Sequence, residues 1–148
     1  MSIGTIARRA AVLAAAGALS VGASLAFSAP ASAETNPSCS SVTQIGTTGH
    51  ITVGSAQVGS VKQFKGCGKN WSYVYVWESY RANHGSWEVC AAVATGGSSP
   101  FTLEGLNCTS NRADNWSFGT NTLSQCTHAV GSIPSDSRQE FGRTNIRC

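Results

Sequence analysis

Three histidines and several carboxylates are the residues of this sequence that could take part in acid–base or metal chemistry. His50, His84 and His128 are widely spaced, and the sequence contains no HxxxH or HExxH motif. Zinc sites that can be read from a sequence place their ligands at short, regular intervals. The sequence therefore predicts no metal site, and the GxSxG motif of serine hydrolases is also missing.

Glu78, Arg81 and His84 form the best candidate for a catalytic group. A glutamate, an arginine and a histidine are sufficient for the acid–base chemistry of a small nuclease. Glu78 and Glu88 could also act as the two carboxylates of a glycosidase. Solvated strand glutamates and an ordinary Asn-His-Gly turn are the simpler interpretation. We therefore predict no catalytic residues and no cofactor, with a small secreted nuclease as the enzymatic alternative.

The most regular pattern is an aromatic row in the segment NWSYVYVWESY, residues 70–80. Its rings stand at alternate positions: Trp71, Tyr73, Tyr75 and Trp77. This alternation predicts a β-strand with the four rings on one face. We expect residues 81–85 to form a loop and residues 86–95 to return as the second strand of a hairpin.

Two registers of this hairpin are compatible with the sequence. If Trp77 lies opposite Val89, the rings face small residues and belong to the core. A shift of one residue turns the aromatic row toward solvent, where rigid rings provide contact area for a protein or a carbohydrate. The first register also pairs Glu78 with Glu88, a repulsion too small to decide between the two.

The candidate binding residues are the aromatic, basic and histidine side chains of this predicted hairpin, together with two arginines near the C-terminus. They are Trp71, Tyr73, Tyr75, Trp77, Tyr80, Arg81, His84, Trp87, Arg143 and Arg147. The two arginines share one face of a strand predicted at residues 141–148. They could protect a sheet edge from aggregation or contact an acidic partner, and the strand itself could accept an added strand.

Residues 1–33 have the features of a cleaved secretory signal peptide. Arg8 and Arg9 precede a long run of small and apolar residues that ends in the A-x-A site Ala31–Ala33. Cleavage would leave a single domain, residues 34–148, without a membrane anchor. Eight Lys and Arg would then oppose seven Asp and Glu, a net charge of +1, so charge gives no reason to expect a nucleic-acid partner.

All six cysteines lie in the predicted mature chain and point to three disulfides. They are Cys39, Cys67, Cys90, Cys108, Cys126 and Cys148. An even number of widely spaced cysteines in an exported protein is typical of a disulfide framework rather than a metal cluster. Fifteen connectivities are possible, and we favour closure between neighbours along the chain.

The two-residue period continues along most of the predicted mature chain, with Gly, Ser, Thr and Asn between the apolar runs. Only residues 135–140 resemble a helical turn. The predicted fold is all-β: a small disulfide-stapled antiparallel sandwich or barrel.

Three segments resemble a known scaffold: PSC at residues 37–39, GCGKNWSYVYVWE from Gly66, and VCAAVATG from Val89. They are similar to the small secreted actinobacterial α-amylase inhibitors of the tendamistat type. The resemblance implies a disulfide-bonded β-sandwich. That family inhibits through a Trp-Arg-Tyr turn between its first two cysteines, whereas the segment between Cys39 and Cys67 has neither Trp nor Tyr. The resemblance therefore implies the architecture and not the inhibitory activity.

Together these features predict a secreted, non-enzymatic protein that binds another extracellular protein, for example as an adaptor or subunit of a toxin-type complex. A first alternative is an inhibitor of a secreted hydrolase, with SYRANHGSW (residues 79–87) as its binding loop. A second is a carbohydrate-binding module that uses the aromatic row.

Overall fold

Two antiparallel four-stranded sheets make up the fold of the chain in a computed structural model, which describes residues 34–135 and 138–148. The predicted all-β sandwich is thereby confirmed. The predicted signal peptide, residues 1–33, lies outside the described residues. The part of the chain that is described contains no helix long and apolar enough to cross a membrane.

The first sheet has the strand order β1-β2-β3-β6. Its strands are β1 (Thr43–Val53), β2 (Ala56–Gly66), β3 (Lys69–Val76) and β6 (Asp114–Trp116). A two-residue turn joins β1 to β2, and Val53 pairs directly with Ala56. Gly54 occupies this turn with a φ of 62°, a conformation that favours glycine.

The second sheet has the strand order β5-β4-β7-β8. Its strands are β4 (Glu88–Thr95), β5 (Thr102–Ser110), β7 (Thr127–Ser135) and β8 (Arg138–Arg143). A short helix, α1 (Glu78–Arg81), lies in the connection from β3 to β4. That connection therefore carries the chain from one sheet to the other.

The hydrophobic core lies between the sheets and consists of the inward-facing residues of both. Its buried members are Ile51, Val58, Val61, Val74, Val76, Tyr80, Val89, Ala91, Ala129 and Ile133. Most of these side chains are small or β-branched, as alternating strands require on their buried face. A glycine on β7 keeps this interior thin, because a Cβ atom at Gly131 would lie 2.5 Å from Val74 Cγ2.

A second buried cluster lies on the outer face of the first sheet. We call it the aromatic cluster, and it contains Cys39, Phe64, Trp71, Tyr73 and Trp116. Residues 34–42, here called the N-terminal segment, cover it: Cys39 is part of the cluster and Val42 packs against it. An ion pair between Glu34 and Lys62 holds the start of this segment on β2.

Three disulfides join neighbouring cysteines along the chain, so the favoured connectivity is confirmed. The pairs are Cys39–Cys67, Cys90–Cys108 and Cys126–Cys148. Each ties two segments that the fold already brings together; Cys90 and Cys108, for example, are direct partners in the β4–β5 register. Three disulfides indicate an extracellular or otherwise oxidising environment.

The predicted hairpin of residues 71–95 is wrong. Strand β3 pairs with β2 and β6, and β4 pairs with β5 and β7, so the two strands lie in different sheets. Neither predicted register therefore exists. The predicted helical turn at residues 135–140 is also wrong where it can be compared, because Ser135 ends β7 and residues 138–140 begin β8.

The C-terminal strand ends earlier than predicted, at Arg143. Beyond it, residues 144–148 continue beside the start of β7, where Arg147 and Thr127 exchange two backbone hydrogen bonds of 2.7 Å. Strand β8 is covered by β1 on its other side: a Cβ atom at Gly49 would lie 2.1 Å from the carbonyl oxygen of Arg143. This contact leaves little room for an added strand at that edge.

Candidate functional site

The aromatic row of β3 does not form a continuous exposed surface. Its outward-facing rings Trp71 and Tyr73 are buried in the aromatic cluster, and the Trp71 indole N–H donates to the carbonyl of Gly66 at 3.0 Å. Tyr75, at the other end of the strand, is 36% exposed. The Arg81 guanidinium lies 5.8 Å from the centre of its ring, within the range of a cation–π contact.

The two remaining tryptophans of the predicted hairpin are half-buried and lie at the ends of other elements. Trp77 precedes α1, and its ring meets His50 edge to face at 5.9 Å. The Trp87 indole N–H donates to the carbonyl of Arg112 at 2.9 Å. Both rings therefore pack against their own chain as well as facing solvent.

Helix α1 and the turn after it form a loop that is held by its own side chains. The ring of His84 stacks on Tyr80 with centroids 3.7 Å apart, and its Nδ1 lies 2.8 Å from the Tyr80 carbonyl oxygen. Arg81 Nε donates to the carbonyl of Val76 at 3.0 Å. Tyr80 itself is buried in the main core. These contacts hold the loop in one conformation, with Asn83 and His84 exposed at its surface.

The structure places Arg143 and Arg147 on different backbone elements. Arg143 ends β8 and donates from Nη1 to the carbonyl of Ser98 at 2.9 Å. Arg147 lies in the segment paired with Thr127. Both are exposed, but the predicted single strand that would align them on one face ends before Arg147.

An exposed apolar surface lies on the outer face of the second sheet, and no predicted binding residue belongs to it. A groove of about 180 Å³ runs over Ala92, between Leu103 and Leu106 of β5 and Phe141 of β8. We call this surface the apolar face; it is lined by Glu88, Cys90, Ala92, Leu103, Leu106, Cys108, Val130, Ser132 and Phe141. Leu106 and Phe141 are each 53% exposed.

The group of candidate metal ligands and the buried His128 both lie in structural surroundings. Among the described residues, the one group of three candidate metal ligands is Glu88, Cys90 and Cys108, and its two sulfurs form a disulfide. His128 is buried under Phe101, ring edge to ring face at 5.4 Å. Burial lowers the pKa of His128, and the positive charge of Arg143 lowers it further.

No protein-family model matches the chain, and no curated protein or solved structure is significantly similar to it.

Proposed function

We propose that this protein is a secreted, non-enzymatic binding protein that docks on another extracellular protein through the apolar face. The observation that carries the proposal is the exposure of Leu103, Leu106 and Phe141 around one groove on a rigid sheet. Clustered exposed hydrophobic residues are typical of interaction sites in soluble proteins.

The shape of the apolar face supports an anchor-in-groove contact. Ala92 is almost fully buried at the floor, so the depth comes from the larger side chains on either side. An apolar side chain of the partner would fill the groove and exclude water from Leu106 and Phe141. Glu88 lines the same groove, so a basic residue beside the apolar anchor would complement its charge.

The disulfides support the same proposal. Cys90–Cys108 crosslinks the two strands that carry the floor and one wall of the groove. A crosslinked sheet loses little conformational entropy on binding, so more of the contact energy appears as affinity.

The loop of residues 79–87 supports a second candidate function, inhibition of a secreted hydrolase. Its base is fixed by the Tyr80–His84 stack and by the hydrogen bond from Arg81 to Val76, while Ser79, Asn83 and His84 are exposed. A rigid exposed loop on a disulfide-bonded scaffold is the arrangement that pre-organised inhibitors use.

A matched pair of surface variants tests the docking proposal. Leu106 and Leu123 are 53% and 51% exposed, and only Leu106 lines the groove. The wild type, Leu106→Glu and Leu123→Glu would be used as bait in culture medium of the producing cells. We expect the wild type and Leu123→Glu to retain the same stoichiometric protein and Leu106→Glu to lose it.

Two other results would contradict docking through the apolar face. Equal capture by all three baits would exclude the apolar face as the docking site. Capture of a hydrolase that loses activity in the complex, with binding abolished by a His84→Ala, Asn83→Ala double variant, would favour the inhibitor instead.

A further inference from the structure

A small pocket of about 270 Å³ lies between the β1–β2 turn and the loop formed by helix α1 and the turn after it. We call it the loop pocket; it is lined by Val53, Ala56, Gln57, Val58, Ser79, Tyr80, Asn83 and His84. Most of these residues are exposed, so the pocket is open to solvent. Small-molecule sites usually have volumes of about 300–1,000 Å³. The loop pocket is smaller, and its size suits a single side chain of a partner protein.

Contacts within the chain hold the two sides of the loop pocket together before anything binds. The backbone N–H of Trp77, just before α1, donates to the carbonyl of Val58 on β2 at 2.8 Å. Val58 and Tyr80 are the buried part of the lining and belong to the main core. His84 stacks on the ring of Tyr80. A pocket that is fixed in this way loses little conformational entropy when it is filled.

Two polar side chains of the loop pocket offer hydrogen-bond acceptors. His84 Nδ1 lies 2.8 Å from the Tyr80 carbonyl oxygen, and because a carbonyl can only accept, the neutral ring carries its proton on Nδ1. His84 Nε2 is then an acceptor, and it has no partner among the described residues. Asn83 Nδ2 donates to the Ser79 carbonyl at 2.7 Å, which leaves Oδ1 as the second acceptor. Both residues are exposed and line the pocket, so a group bound there can approach them.

The lining favours an uncharged aromatic group that carries a hydrogen-bond donor. No Asp, Glu, Lys or Arg is among the described residues that line the loop pocket, so a charged side chain would lose water there without gaining an opposite charge. A purely apolar side chain would displace water from the acceptors of His84 and Asn83 without replacing its hydrogen bonds. Tyrosine and tryptophan meet both requirements, because each has an apolar ring and one O–H or N–H donor.

We propose that the loop pocket binds a tyrosine or tryptophan side chain of a partner protein. The ring packs against Val58 and Tyr80, and its O–H or N–H donates to His84 Nε2 or Asn83 Oδ1. Tyrosine and tryptophan are also common anchor residues of protein interfaces. The loop pocket shares no lining residue with the apolar face, and this proposal does not rest on docking there.

Nuclear magnetic resonance of methyl groups can test the loop pocket directly. The ¹³C-labelled, disulfide-bonded protein purified from the full chain would be titrated with the N-acetyl amides of tyrosine, tryptophan and phenylalanine. Each would be added to about 10 mM, a range that detects weak affinities, at about pH 8, where histidine side chains are ordinarily neutral. We expect the tyrosine and tryptophan amides to shift the methyl signals of Val53 and Ala56 saturably. Val130 lines the apolar face, so its methyl signals should stay in place.

The phenylalanine amide isolates the contribution of the donor, because it differs from the tyrosine amide only by the hydroxyl group. It should bind about tenfold more weakly, as expected for the loss of one hydrogen bond to a neutral group.

Three variants link this preference to the acceptors of the loop pocket. His84→Phe keeps a ring that can stack on Tyr80 and removes Nε2, and Asn83→Ala removes Oδ1 at an exposed position. At least one of them should give the tyrosine and phenylalanine amides equal affinities. His50→Phe is the matched control, since His50 is exposed and does not line the pocket, and it should keep the tenfold preference.

Any of three results would overturn the proposal. The first is the absence of saturable shifts at Val53 and Ala56 with the tyrosine and tryptophan amides. The second is equal affinity of the wild type for the tyrosine and phenylalanine amides, because the acceptors would then take no part. The third is a preference for the tyrosine amide that both His84→Phe and Asn83→Ala leave unchanged.

Discussion

Tyr73 and Trp116 are direct partners in the β3–β6 register, and their rings lie 4.8 Å apart on the outer face of the first sheet. The same strand sends Val74 and Val76 into the core between the sheets. Strand β3 is therefore buried on both faces for most of its length. The N-terminal segment covers Trp71 and Tyr73 of the aromatic row, and the burial of these two rings has consequences for stability that can be measured.

Alkaline pH should destabilise the protein through Tyr73. Burial, followed by the charges of Asp114 and Glu34, raises the pKa of Tyr73 in the folded state. An unfolded tyrosine ionises near pH ~10. Above that pH the unfolded chain releases a proton that the folded protein keeps, so the free energy of unfolding falls by up to about 1.4 kcal/mol per pH unit. Below it, the contribution of Tyr73 is fully present.

The contribution of Tyr73 to stability can be measured by urea unfolding of the wild type and of Tyr73→Phe. The range is about pH 8–11, which spans the usual tyrosine pKa. The free energy of unfolding of Tyr73→Phe should fall less steeply above pH ~10, because the variant has no phenol to ionise at this position. Parallel curves for the two proteins would show that Tyr73 ionises alike in both states and would contradict the prediction.

Acidic pH should destabilise the protein through His128. Burial, and then the charge of Arg143, lowers the pKa of this histidine in the folded state, so the unfolded chain takes up its proton first as pH falls below about 6.5. The stabilisation is complete above that pH and decreases below it until the folded histidine is also protonated. His128→Leu should show a smaller loss of unfolding free energy between pH ~7.5 and ~5, measured by urea denaturation.

Arg143→Gln should also reduce this loss, because it removes one cause of the lowered pKa of His128. An unchanged acid dependence in both variants would exclude His128 as the source of the acid-induced loss of stability.

The sequence predicts the fold class and the disulfides well because both follow from short-range features. Apolar residues that alternate with polar ones require a strand with one buried side, as at Val61 of β2, which lies between Ser60 and Lys62. The disulfides join neighbouring cysteines because short connections bring consecutive segments together. The charged and polar turn residues then separate one strand from the next.

The position of β4 relative to β3 could not be predicted from the same pattern. Val76 of β3 and Val89 of β4 both face the core, as they would in a hairpin, but they meet it from opposite sheets. Alternation shows which side of a strand is buried and not whether its neighbour in sequence pairs beside it or packs across from it. Helix α1 and the turn after it make the connection long enough for the chain to pass from the first sheet to the second.

A bulge in β5 explains why the alternation of residues does not predict the apolar face. Leu103 and Leu106 are three residues apart, so a regular strand would place them on opposite faces. The register slips between Ala91 and Val93, where β5 has one extra residue, and Gly105 adopts a φ of 64°. Both leucines therefore line one groove. A glycine inside an apolar strand is the one local signal that could have indicated this irregularity.

Removal of the Cys39–Cys67 disulfide should open the aromatic cluster. Cys39 is a buried member of that cluster, and the crosslink attaches the N-terminal segment to the turn between β2 and β3. The Cys39→Ala, Cys67→Ala variant should lose about 2–4 kcal/mol of unfolding free energy and show increased quenching of tryptophan fluorescence by acrylamide. The matched Cys126→Ala, Cys148→Ala variant should lose similar stability without the increase in quenching. Equal quenching in the two variants would show that the N-terminal segment does not protect the cluster.

The thin interior of the sandwich should make Gly131 intolerant of even a methyl group. A Cβ atom there would lie 2.5 Å from Val74 Cγ2 and 2.7 Å from Val61 Cγ2, across the gap between the two sheets. Because the added atom must push the sheets apart, Gly131→Ala should reduce the free energy of unfolding by about 1–3 kcal/mol, measured by urea denaturation. Gly85→Ala is the matched control, since a Cβ atom at that exposed loop position has no other atom within 4 Å and should change stability by less than about 0.5 kcal/mol. Similar stability of the two variants would mean that the sheets can separate at little cost, contrary to a core closely packed at Gly131.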